Sequence, residues 1–179
     1  MSLFVSTGRT FLAGIGVMFL VACEPGIADK QDPIPKSIIE AAQLSDLLLS
    51  AGDPEESVAY FQRALEQEPD RVDFRRGLAI SLTRAKRYPE AARIYQEMIA
   101  IGQAEPADRL EYAFVQARLD KWDDARSVLA ALPDGLNSAR RHMGEAMLAD
   151  HEQNWTAADA AYARAETLST NPAGVLNNW

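Results

Sequence analysis

One cysteine, Cys23, is all the thiol that this 179-residue chain contains. That excludes an internal disulfide, a zinc site of several thiolates and a Cys-x-x-Cys redox pair. Histidine is nearly as scarce. His142 and His151 stand nine positions apart, on opposite sides of any helix they share, which suits surface or groove residues better than joint ligands. Basic residues are outnumbered, 18 Lys and Arg against 26 Asp and Glu, for a net charge of −8 and a pI near 4.8. Nucleic acid needs clustered cations to displace its counterions, so no nucleic-acid partner is expected. The same deficit excludes a polybasic patch for anionic lipid. Aromatic residues make up only 8%, and neither period-2 alternation nor runs of β-branched residues mark a sheet. HExxH, GxSxG, P-loop and GxGxxG motifs are all missing. Acid pairs such as Glu55-Glu56 and Asp123-Asp124 point their carboxylates to different faces and suit helix starts, where the dipole favours negative charge. No catalytic residue, metal ligand or cofactor is therefore assigned, and an enzyme is not expected.

Long apolar runs are also few. "FLAGIGVMFLVA", Phe11 to Ala22, is twelve residues without a charge, behind a segment whose single cationic side chain is Arg9. Twelve residues suit the apolar centre of a signal peptide and fall short of the roughly 20 that span a bilayer. The chain then turns polar at once in "CEPGIADKQDPIPK", where Pro25, Pro33 and Pro35 forbid a continued helix. Leu20-Val21-Ala22 ahead of Cys23 resembles the lipobox of bacterial lipoproteins. The resemblance implies cleavage before Cys23, diacylglycerol on its thiol and an acylated new amine. Several acyl chains make anchoring stable where one binds only reversibly. Residues 1–22 would be the signal peptide and 23–37 the lipidated cysteine with a proline-rich tether. Glu24, in place of the aspartate that retains such proteins at the inner membrane, favours the outer membrane facing the periplasm.

What is abundant is alanine, with Leu, Arg, Glu and Gln, side chains that lose little freedom in a helix. These residues also repeat. Small side chains occur at Ser45, Ala79, Ala113 and Ala146, at intervals of 34, 34 and 33. Twelve positions on come Ser57, Ala91, Ala125 and Ala158; four further, Phe61, Tyr95, Leu129 and Tyr162; three beyond, Ala64, Met98, Leu132 and Ala165. Pro54, Tyr88, Trp122 and Trp155 share one phase in what read as the turns. Such a period marks stacked supersecondary units. Small residues let paired helices approach, and the bulky side chain four positions on fills the space beside them. Gly52 suits a tight turn in the first unit, and Pro69 ends its second helix.

The phase resembles the tetratricopeptide repeat, most clearly in "AGDPEESVAYFQRALEQEPD" at 51–70 and "AKRYPEAARIYQEMIA" at 85–100. That resemblance implies an all-α fold, a right-handed α-solenoid of about four helical hairpins over residues 38–171, with units near 38–71, 72–105, 106–137 and 138–171. Two departures stand out. Pro133 shortens the second helix of unit three, and Glu145 replaces a preferred leucine in unit four. "NPAGVLNNW", with residues 172–179, reads as the opening of a fifth unit, so a longer natural chain is expected.

In this family the first helices line a concave face that takes protein segments. Carried over by phase, that face holds Ala42, Asp46 and Leu49, then Arg76, Ile80 and Thr83. Leu110, Phe114 and Ala117 follow, then Met143, Met147 and Asp150. The expected partner groove is Arg76, Ile80, Leu110, Phe114, Met143 and Met147, an apolar strip for a peptide or helix, whose alternative is packing between units. A clamp for a C-terminal carboxylate needs Lys, Asn and Arg there, and only Arg76 qualifies. Lipobox, short proline tether and repeats together resemble the tetratricopeptide lipoproteins of Flp (Tad) pilus systems (TadD-like), and "VLNNW" is similar to their "LNNLG" helix starts. The resemblance implies a lipid-anchored scaffold that meets secretin or pilus-assembly components. The alternative is outer-membrane β-barrel assembly or another envelope adaptor.

Overall fold

The computed structural model describes residues 38–133, 135–136 and 138–170, with side chains from residue 42. The expected signal peptide, lipobox, Cys23, tether and fifth-unit opening lie outside them. Eight helices run in order: α1 Ile38–Ala51, α2 Pro54–Gln67, α3 Val72–Arg84, α4 Tyr88–Ala100, α5 Pro106–Arg118, α6 Trp122–Ala130, α7 Ala139–His151 and α8 Trp155–Leu168. Among the described residues there is no strand. No described helix is long and apolar enough to cross a membrane. The architecture is the all-helical solenoid that the tetratricopeptide resemblance implies.

Local chemistry sets the helix ends. The Asp53 carboxylate accepts from the backbone N–H groups of Glu55 and Glu56 at 2.9 and 3.1 Å, capping α2. Pro54 then occupies the first helical position, where a missing N–H costs nothing. Ser138 and Asn154 cap α7 and α8 in the same way. Pro54, Tyr88, Trp122 and Trp155 are the first residues of α2, α4, α6 and α8, not turn residues. Pro133 leaves α6 with 9 residues against 13 or 14 in the other helices.

The turns hold a surprise. Lys86, Asp120 and Gln153, spaced 34 and 33 apart, take left-handed backbone with φ of 59°, 60° and 58°. The bond that closes each turn runs from the following N–H back five residues: Arg87 to Leu82, Lys121 to Gln116 and Asn154 to Ala149, at 2.8, 2.9 and 2.8 Å. This is the Schellman closure that usually selects glycine. The equivalent Gly52 does not adopt positive φ. Its missing Cβ serves a close approach instead, since a methyl there would lie 2.8 Å from the Leu48 carbonyl oxygen. A left-handed L-residue costs roughly 1–2 kcal/mol, part of which glycine returns as freedom in the unfolded chain. Lys86→Gly is therefore expected to stabilise the fold by about 1 kcal/mol, read as a higher midpoint in urea denaturation.

The repeating small residues are the joints. Ala79, Ala91, Ala113, Ala125, Ala146 and Ala165 are completely buried, and Ala158 nearly so. Two apolar clusters result. The first takes Val58, Phe61, Phe74, Leu82, Tyr95 and Met98 from α2 to α4, joined by Val115 of α5. The second takes Leu110, Phe114, Leu129, Leu132, Met143 and Met147 from α5 onward. Helix α5 thus serves both.

Candidate functional site

The apolar residues expected to line a groove are its floor. Leu110, Phe114, Met143 and Met147 keep only 3, 8, 6 and 6% of their surface and belong to the second cluster. Their neighbours in the stack cover them, because each first helix packs against the helices on both sides. Ile80 is half-buried. Arg76 is engaged within the chain. Its Nε and Nη2 donate to the Asp108 carboxylate at 2.7 and 2.9 Å, and Nη2 lies 3.0 Å from Glu105. The hydrogen bonds from Arg76 to Asp108 hold the guanidinium charged above its ordinary range. Asp108, 4% exposed, also accepts the Glu105 backbone N–H at 2.9 Å at the start of α5. The residue assigned to partner contact is thus the strap between α3 and α5. Ala42 and Asp46 are exposed on α1, and Leu49 is half-buried.

Above this floor open two clefts. One, of about 200 Å³, is lined by Thr83, Tyr88, Phe114, Arg118, Arg140 and Met143. The Arg140 guanidinium lies 3.9 Å from the Phe114 ring centroid, where a cation meets the negative ring face. It also donates twice to Glu111, at 2.8 Å each. The second cleft, of about 280 Å³, is lined by Ala117, Arg118, Trp122, Met147, Asp150 and His151. Trp122 and His151 stack at 3.9 Å with 9° between their planes, and the indole N–H donates to Asp120. The Tyr162 hydroxyl donates to Asp150 at 2.6 Å; burial, then that hydrogen bond, push the phenol well above its usual range.

The two clefts are one site seen twice. Thr83, Tyr88, Phe114 and Arg118 of the first correspond by the repeat to Ala117, Trp122, Met147 and His151 of the second. Thr83, Ala117 and Asp150, placed on the concave face by phase, are all lining residues. Arg118, Arg140, Tyr88 and Trp122 have no groove assignment in the sequence, whereas His151 is expected there as a surface or groove residue. The common phase of Tyr88 and Trp122 was the one signal that could have found them. Arg118, an exposed cation, makes no hydrogen bond or ion pair with any described residue, although both clefts touch it.

The unexpected Glu145 of unit four is held in place by its neighbours. It accepts from Arg141 Nε at 3.0 Å and sits 2.8 Å from His142 Nδ1. Burial raises its pKa, but the hydrogen bonds with His142 and Arg141 outweigh that and hold it below the ordinary glutamate range. No group of three His, Cys, Asp or Glu among the described residues could hold a metal ion. No curated protein matches the chain. Residues 43–106, from within α1 to the first residue of α5, match the family model described as tetratricopeptide repeat, so over that stretch the chain is similar to this helical-repeat family.

Proposed function

We propose that the protein is a lipid-anchored interaction scaffold of a bacterial envelope, held by Cys23 and binding a partner protein along the first-helix face. The observation that carries the binding half is the pair of repeat-equivalent clefts sharing an unpaired Arg118. The anchoring half rests on Leu20-Val21-Ala22-Cys23 behind twelve uncharged residues. The layout supports a place in assembly of a Flp (Tad)-type pilus or related secretion apparatus at the outer membrane. Barrel assembly is the other outcome that the partner's identity decides.

Two measurements test the halves separately. Cys23→Ala is expected to move the protein from the membrane to the soluble fraction, with loss of acyl mass; retention in membranes removes the lipid anchor. A photo-cross-linking residue at Thr83 or Arg118 is expected to give defined adducts in cells. One at Arg93, on α4 and 65% exposed, is expected to give none. Equal adducts from both positions would remove the groove.

A further inference from the structure

We infer that the two clefts together read an extended segment of the partner: an acidic side chain in the Arg118–Arg140 cleft and a bulky apolar one about three residues away on Met147, Trp122 and His151. This deepens the binding reading above and rests on it.

The chemistry differs between the clefts although their positions correspond. The first offers two guanidinium groups and the Thr83 and Tyr88 side chains. Arg140 is already held by Glu111 and Phe114, so its direction is fixed before any ligand arrives. Arg118 has no such partner, and a carboxylate would give it one. Charge-assisted hydrogen bonds from guanidinium to carboxylate are about twice as strong as neutral ones. The second cleft carries Met147, Ala117 and the stacked Trp122–His151 pair, an apolar floor with an aromatic wall; the one cation that reaches it is Arg118, on the border with the first cleft. Asp150 at its rim repels a second carboxylate, so the acid has one place to bind and the apolar side chain the other.

The spacing follows from the repeat. Helices packed side by side lie about 8–10 Å apart. An extended strand advances about 3.3 Å per residue, so neighbouring clefts are about three residues apart. A helical segment rises only about 1.5 Å per residue and would need six or seven to cover the same step. The net charge of −8 does not forbid an acidic partner. At physiological salt screening acts beyond about 8 Å, so contact with Arg118, whose charge no described carboxylate balances as Glu111 balances Arg140, outweighs the distant surface.

The test is selection of random nonapeptides displayed on phage against the full lipidated chain in detergent, followed by binding of the enriched peptides to variants. The expected result is enrichment of Asp or Glu about three positions from Leu, Phe, Met or Trp. Changing that acid to its amide is expected to weaken binding about tenfold or more, and Arg118→Gln is expected to abolish the preference. His151→Glu, an exposed substitution, is expected to weaken binding through the apolar position, and Arg93→Gln is expected to change nothing. Circular dichroism must be unchanged in all three variants. Peptides that lose binding with His151→Glu but carry no acid, or ignore Arg118→Gln, would overturn this inference and leave the groove standing. No enrichment, or enrichment insensitive to every groove variant, would overturn both.

Discussion

Phe61→Ala is expected to remove about 3–5 kcal/mol of stability, the range for emptying a fully buried aromatic site. The ring is 0% exposed, 5.1 Å from Tyr60 edge-to-face and 6.4 Å from Phe74. Its edge also lies against the backbone of Gly77 in α3, where a methyl group would collide with Cε1 and Cζ. Gly77→Ala alone is therefore expected to cost about 1–3 kcal/mol by overpacking, although alanine favours a helix by about 1 kcal/mol. In the Phe61→Ala background the sign should reverse: the new methyl enters the vacated space and stabilises by about 1 kcal/mol. Urea denaturation of the four proteins closes the cycle, and the coupling between the two sites is the quantity read. Additive losses would show that ring and glycine do not form one joint.

Asp108→Ala is expected to cost about 2–4 kcal/mol. A fully buried ion pair loses about 3–5 kcal/mol when one partner goes, and Arg76 is not fully buried, its side chain being 28% exposed. Removal also orphans the Glu105 N–H at the start of α5. Asp108→Asn keeps one acceptor and should lose about half as much, measured by the same denaturation. A loss below about 0.5 kcal/mol would put the pair among solvent-screened contacts.

These two joints show what the residues disclosed in advance. The 34-residue phase marks the repeated units and the small residues at helix contacts, because close approach admits few side chains and leaves a periodic trace; the helical solenoid follows from the family that this phase resembles. It marked Phe61 as a filler beside Ser57. Gly77, three residues before Ile80, drew no notice, since nothing in its own helix announces the ring from the helix before. The left-handed turns were missed for a similar reason. Lys86, Asp120 and Gln153 carry no glycine to announce positive φ, which the backbone bonds of the turn enforce. The apolar strip was legible as a set of equivalent positions, but exposure was not. Periodicity says which side chains share a face and not whether the next hairpin covers it. Arg76 looked available because its partner, Asp108, lies 32 residues away. Arg118 looked ordinary because freedom from partners is visible only in three dimensions.

Helix α5 divides its side chains between the two apolar clusters, and that division bears on synthesis. Val115 completes the cluster of α2 to α4, while Leu110, Phe114 and Ala117 wait for α6 and α7. A chain emerges from the ribosome at about 5–20 residues per second, amino-terminal end first. A nascent chain stopped before α5 presents an open apolar flank where Val115 will sit. Released through Leu119, it has sealed that flank and made the platform on which the remaining hairpins build. The order of translation is thus the order of assembly: α5 closes the first cluster and hands the open flank on to Leu110, Phe114 and Ala117, which stay uncovered until α6 and α7 follow.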